Sequence, residues 1–321
     1  MKDFTFNTNK GIKISGKIIS IPNESLNSKG PKFFLILIHA FPYDSQMFLK
    51  NFKEDSEFIK KINEILENKA QLTIILPDLP GFGASDNSHS TPTSIQPYVE
   101  FLKEIFEFFN VEHCYLGGCS MGGYVVLEFL RAFSELVDGL ILMDTRTEAD
   151  DEMKKIMRKN NIELIKKTML ENEQTSKKTK LLDLYDRSKK FSDLIDGMCK
   201  NAISERNYDS LEFRNQILSI MKNQTIKGFT DALNAMIGRK DTSELLMKFD
   251  KEVLIIGGEN DIITPIDSLK RMNKLPRKSN LKVIPSAGHL SNFENTADFN
   301  NILFEWLYPQ ITKHIKLFWS L

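Results

Sequence analysis

Cysteine is scarce in this sequence: only Cys114, Cys119 and Cys199 occur. They form no C-x-x-C pair and have no histidines at ligand spacing, so neither a disulfide framework nor a zinc site is signalled and reduced thiols are expected. Net charge is absent as well. The 43 Lys and Arg residues balance 43 Asp and Glu, which leaves no field to draw the chain onto nucleic acid or an anionic membrane and favours an uncharged small-molecule partner. No apolar run approaches the length that spans a bilayer, and MKDFTFNTNK lacks an apolar stretch before a small-residue cleavage site, so no membrane span and a cytoplasmic location are expected. No repeat of solenoid period and no low-complexity tract is present.

What remains is the balance of an ordinary globular protein, 41% hydrophobic and 27% charged, and 321 residues accommodate one catalytic domain carrying an insertion. Short apolar runs bounded by turn residues recur at 33–38, 72–76, 114–116, 140–143, 253–256 and 281–284, a length and continuity that suit strands buried on both faces of a parallel sheet. Helical periods lie between them, clearest at Ile95, Tyr98, Val99, Leu102, Ile105, Phe106 and Phe109, and again at Phe299, Ile302, Leu303, Trp306 and Leu307. The alternation predicts an α/β fold with a mostly parallel, doubly wound sheet, preceded by an antiparallel hairpin over 4–6 and 12–21. Residues 22–31 read as a loop.

From about 147 to 250 strands disappear and helical stripes follow one another: Ile162, Ile165, Met169 and Leu170; then Leu181, Leu184, Tyr185, Phe191, Leu194, Ile195 and Met198; then Ile226, Phe229, Leu233, Met236 and Ile237. The chain thus divides into a first core part (1–146), a helical insertion (147–250), a second core part (251–308) and a C-terminal tail (309–321) that is apolar at Ile315, Leu317, Phe318 and Trp319. Most stripe residues are expected to be core, the remainder to line a pocket.

The chemistry is concentrated at Gly118-Cys119-Ser120-Met121-Gly122-Gly123, between a strand-like segment and a helical one. G-x-S-x-G in that setting is a nucleophile elbow, in which serine occupies a strained strand-to-helix turn. A serine hydroxyl needs a base and a group to orient that base. In this arrangement the base follows the last strand, which leaves His289 and His314; His289 follows the 281–284 run directly, whereas His314 falls in the tail. For the acid, Asp261 follows the 253–256 strand and is preferred over Asp144, which follows 140–143 and has a helix start or Arg146 as its alternative role. Backbone amides of Met121 and Phe41 are the expected oxyanion donors, His39 and Pro42 shaping the turn.

With these motifs the chain resembles the α/β-hydrolase superfamily along nearly its whole length, and within it the small esterases and 3-oxoadipate enol-lactonases. Ala40 replaces the glycine usual in the family's His-Gly-x-Pro turn. Asp78-Leu79-Pro80-Gly81-Phe82-Gly83-Ala84-Ser85 matches the family's D-x-x-G-x-G-x-S loop, Gly258-Glu259-Asn260-Asp261 its acid loop and Gly288-His289 its histidine loop. Asp144-Thr145-Arg146 resembles a segment of one subgroup, with Arg146 expected in an ion pair. The resemblance implies a cap formed by the helical block, no cofactor or metal, and hydrolysis of a carboxylic ester or lactone through an acyl-enzyme. Serine at the elbow argues against epoxide or carbon–halogen cleavage, which use aspartate there. A carbon–carbon bond or other acyl hydrolase with the same residues, and a non-catalytic binding protein on the same fold, are the alternatives.

Overall fold

Eight strands form one sheet: β1 (Lys2–Asn7), β2 (Lys13–Ile21), β3 (Lys32–Ile38), β4 (Gln71–Pro77), β5 (Cys114–Cys119), β6 (Val137–Met143), β7 (Glu252–Gly258) and β8 (Ser279–Ile284). In this computed structural model the described residues are 1–22, 30–172, 176 and 179–320, so the loop expected over 22–31 lies outside them apart from its ends. The sheet order is β1-β2-β4-β3-β5-β6-β7-β8, and β2 runs antiparallel to both of its neighbours. β3 lies between β4 and β5, so the chain leaves it in one direction and returns on its other side. Open α/β sheets gather ligands at such a reversal.

The apolar runs behave as continuous hydrophobic strands should. β5 is buried at every residue and β7 at all but its first, a pattern that requires helices on both faces. The helix Glu57–Leu66 packs with Thr296–Trp319, and Gln96–Phe108 packs with Met121–Phe133. β5 extends three residues beyond the run that predicted it, because Gly117 and Gly118 carry little strand propensity of their own but pair with Ile141 and Leu142 of β6.

Two expectations need correction. The tail expected from residue 309 is the last part of the helix Thr296–Trp319, which runs through Pro309. Proline removes one ladder hydrogen bond there, and burial of Ile311 and Ile315 on either side of the next turn offsets that loss. Leu170 does not join the stripe of Ile162 and Ile165; it is 81% exposed. The block between β6 and β7 also contains helices the periodicity did not single out, Glu205–Asp209, Leu211–Lys222 and Ser243–Lys248, and the last of these packs against Met121–Phe133 rather than against the other insertion helices. No helix among the described residues is long and apolar enough to cross a membrane.

Phe299, fully buried on the last helix, and Phe318, 45% exposed on the same helix, separate packing from helix propensity. Phe299→Ala is expected to lower unfolding free energy by about 3–5 kcal/mol, and Phe318→Ala by less than about 0.5 kcal/mol, measured from urea midpoints.

Candidate active site

The carboxyl ends of the strands carry, in order, His39 after β3, Asp78 after β4, Ser120 after β5, Asp144 after β6, Asp261 beyond β7 and His289 beyond β8. Ser120 caps the helix Met121–Phe133 with φ 51 and ψ −112, a conformation that side-chain-bearing residues rarely adopt and that costs on the order of 1–3 kcal/mol. The turn is held by close backbone approach: a Cβ on Gly118 would collide with the Gly122 carbonyl, and one on Gly122 with the carbonyl oxygens of Ile38 and His39. Ser120 donates its amide to the Met143 carbonyl at 2.9 Å and stays partly exposed.

Three loops bring side chains together here. The Ser120 hydroxyl lies 2.8 Å from His289 Nε2, and His289 Nδ1 lies 2.7 Å from Asp261 Oδ2. The other Asp261 oxygen accepts from the amides of Ile263, 2.8 Å away, and Thr264, 2.9 Å away, which fixes the carboxylate. Burial pulls the His289 imidazole toward its neutral form, but the Asp261 carboxylate outweighs it and the pKa is raised above the usual 6.5. His314, the other candidate base, bonds the Gln310 carbonyl at 2.9 Å and its ring lies 6.1 Å from that of Phe33, at the opposite edge of the sheet from Ser120. Cys119 is fully buried, and burial followed by the charges of Asp144 and Asp261 holds its thiol well above the usual range, so it remains protonated.

The Met121 amide opens the helix whose positive dipole end points at this corner. Phe41 sits in the turn after β3, where the Tyr43 amide bonds the Ala40 carbonyl at 2.9 Å. That turn is anchored by His39, whose Nδ1 donates to the Ala40 carbonyl and whose Nε2 accepts from the Leu79 amide, both at 2.9 Å. Asp78 continues the network, accepting from the Ser45 amide at 2.8 Å and the Ala84 amide at 3.0 Å. Burial, then the neighbouring Asp44, raises the Asp78 carboxyl to about 6. The Phe41 ring packs against Phe229 of the helix Ile226–Ile237, with centroids 4.6 Å apart and planes tilted by 52°, and Gly81 meets Gly228 so closely that neither tolerates a Cβ.

Asp144 does not pair with Arg146. It accepts from the Gly258 amide at 2.9 Å and from the Ser291 hydroxyl at 2.6 Å. Nor does it start a helix: Asp151 caps Glu152–Glu171. Arg146 instead reaches Asp150 at 3.4 Å, a buried carboxylate that also binds Arg158 at 2.6 Å and Arg239 at 2.9 Å. Glu294 went unnoticed in the sequence. Its carboxylate accepts from the Gly288 amide at 2.7 Å, the Ser204 amide at 2.8 Å, the Ser204 hydroxyl at 2.6 Å and the Asn207 amide group at 2.7 Å, tying the His289 loop to the helical insertion. Only a G-x-x-x-x-x-E spacing from Gly288 connects it to a motif, and that spacing carries no signal.

A family model described as the alpha/beta hydrolase fold matches residues 34–296. The chain belongs to this family. Among curated relatives, the hydrolase is 25% identical over 250 residues to the 2-hydroxy-6-oxononadienedioate/2-hydroxy-6-oxononatrienedioate hydrolase 1 of Pseudomonas putida, covering 74% of this chain and 78% of the relative. It is 28% identical over 239 residues to the corresponding hydrolase of Paraburkholderia phymatum, covering 73% and 76%. Among solved structures, a thermophilic esterase from Thermogutta terrifontis superposes with TM-score 0.73 at 23% identity, covering 96% of this chain and 99% of the esterase. The enol-lactonase of Burkholderia xenovorans superposes with TM-score 0.70 at 13% identity, covering 95% and 99%. At those identities the structural likeness concerns the fold.

His39 and His289 are both buried at the carboxyl ends of the strands yet are pushed in opposite directions. Burial lowers His39 to about 4, outweighing the bond to the Ala40 carbonyl and the charge of Asp44, which both favour the protonated ring. The unfolded chain therefore binds the extra proton between pH 6.5 and about 4, and stability is expected to fall as pH drops through that window, by up to about 3 kcal/mol from this group. Imidazole proton NMR should show His289 titrating above 6.5 and His39 near 4.

Proposed function

We propose that this hydrolase cleaves a carboxylic ester or lactone through an acyl-enzyme, with Ser120 as nucleophile, His289 as general base and acid, and Asp261 as the group that orients His289. The observation that carries the reading is the unbroken chain of contacts from Ser120 Oγ to His289 Nε2 at 2.8 Å and from His289 Nδ1 to Asp261 at 2.7 Å, contributed by three different loops. His289 takes the Ser120 proton as Oγ attacks the carbonyl carbon, and the new oxyanion accepts from the Met121 and Phe41 amides. Collapse of the tetrahedral intermediate breaks the bond to the alkoxy oxygen, which receives the proton from His289. Water, deprotonated by His289, then releases the acid and restores Ser120; in a lactone both ends stay on one product. The balance requires only water.

The helical insertion acts as the cap over this site. Phe229 against Phe41 supports an apolar wall beside the oxyanion donors and hence an apolar acyl or alcohol portion. A second reading, carbon–carbon bond hydrolysis, is favoured by the names of the relatives, which are hydrolases of 2-hydroxy-6-oxo dienedioates. A ketone carbonyl would then take the place of the ester carbonyl. A rate panel comparing esters and lactones of increasing acyl length with such a dienedioate separates the readings.

A fluorophosphonate is expected to label one site, with labelling abolished by Ser120→Ala and the site read by peptide mass spectrometry; labelling that survives the substitution would sink the assignment. Asp261→Asn should lower kcat by about 10⁴ with the fold intact by circular dichroism. Because the base must be neutral and its pKa is raised, kcat/KM is expected to fall on the acid side along a limb above pH 6.5. Phe229→Ala should change the ratio of rates among acyl lengths by about tenfold, more than it changes the rate on the shortest ester.

A further inference from the structure

We propose that Asp144 is a positioning residue that holds the Asp261 loop and the His289 loop at a fixed separation, and so sets the geometry of the hydrogen-bond chain to Ser120. The inference rests on the function proposed above. Asp144 is fully buried and stands at φ 47, in the left-handed region where an aspartate costs energy and persists only when its surroundings over-determine it. Its amide extends the sheet by bonding the Ile256 carbonyl at 2.9 Å. One carboxyl oxygen accepts from the Gly258 amide at 2.9 Å, three residues before Asp261. The other bonds the Ser291 hydroxyl at 2.6 Å, two residues after His289.

Residues on either side of Asp144 grip the third loop. The Met143 carbonyl accepts from the Ser120 amide at 2.9 Å, and the Thr145 hydroxyl donates to the Ser120 carbonyl at 2.7 Å. Three consecutive residues at the end of β6 therefore contact the segments that carry all three side chains. The carboxyl does not act as the acid itself, since His289 Nδ1 is already held by Asp261 and both Asp144 oxygens have other partners. Burial, then the charge of Asp261, raises the Asp144 carboxyl to about 8. Asparagine keeps the Gly258 contact through its oxygen, and its amide group can donate to the Ser291 oxygen in place of accepting from it, because a hydroxyl serves as donor or acceptor.

The experiment compares wild type with Asp144→Asn, Asp144→Ala and Ser291→Ala, using kcat and KM on one good ester and the low-field NMR resonance of the His289 Nδ1 proton. Asp144→Asn should keep kcat within about fivefold and retain the resonance, whereas Asp144→Ala should lose about 10² in kcat with KM little changed and broaden the resonance, the penalty of a misplaced reacting group. Ser291→Ala, which keeps the Gly258 contact, should lose about tenfold in kcat and decides the matter if the alanine variant does not fold. Unchanged kcat and an unchanged resonance in both Asp144→Ala and Ser291→Ala would overturn the inference. So would an Asp144→Asn loss as deep as that of Asp261→Asn, which would make Asp144 the acid, or a shift of the acid limb in Asp144→Asn, which would assign its effect to charge on Asp261, His289 or Cys119 rather than to geometry. Failure of wild type to hydrolyse esters or to be labelled at Ser120 refutes the proposed function instead, and the resonance then reads the positioning of His289 without turnover.

Discussion

At Ser120 the backbone changes from strand to helix within one residue, and the turn can form only because Gly118, Gly122 and the end of β3 pack without any intervening Cβ. That approach has two effects from one cause. It points the hydroxyl out of the sheet edge, and it places the start of a helix, with its unpaired amides, beside the turn that contains Phe41. A methyl group at Gly118 would push the helix away from β5, and one at Gly122 would push it away from the end of β3; either would separate the hydroxyl from the amides it is proposed to work with.

The sheet edge built around that turn is rich in buried polar groups, which is expensive unless each is satisfied. Asp78, Asp144, Asp261 and Glu294 each accept from two or more donors, most of them backbone amides of neighbouring loops. Their hydrogen bonds are therefore the means by which loops from distant parts of the chain take up one arrangement. The same low-dielectric surroundings make position decisive for charge: His39, between two neutral partners, is driven toward its uncharged form, while His289, beside Asp261, is held the other way.

The helical insertion is tied to this edge at both sides. Glu294 fastens the Ser204 segment to the His289 loop, and the Ala202 carbonyl accepts from the Leu290 amide at 3.2 Å. On the other side Gln224, fully buried, bonds Asp44 at 2.9 Å and the Gly83 amide at 2.7 Å, next to the Gly81–Gly228 contact. Movement of the insertion would thus be felt at the His289 loop and at the Phe41 turn together, a link from packing to the proposed chemistry that the separate motifs do not reveal.

Local features of the sequence were enough for the alternation of strands and helices, the tight turn at Ser120, and the positions of Asp261 and His289 just past strand ends, because each depends on short-range physics: an apolar run long enough for a buried strand, small residues around a tight turn, a side chain just past a strand end. Local pattern failed where long-range contact decides. Periodicity could not tell that Leu170 faces solvent, that Pro309 lies inside a helix anchored by Ile311 and Ile315, or that Ser243–Lys248 packs with the elbow helix. It assigned Asp144 to the nearest cation or helix start, whereas its partner Ser291 is 147 residues away. Which carboxylate faces the imidazole, which holds the loops, and which insertion side chain reaches Phe41 are set by how separate segments meet at one sheet edge, and only the tertiary structure brings them there.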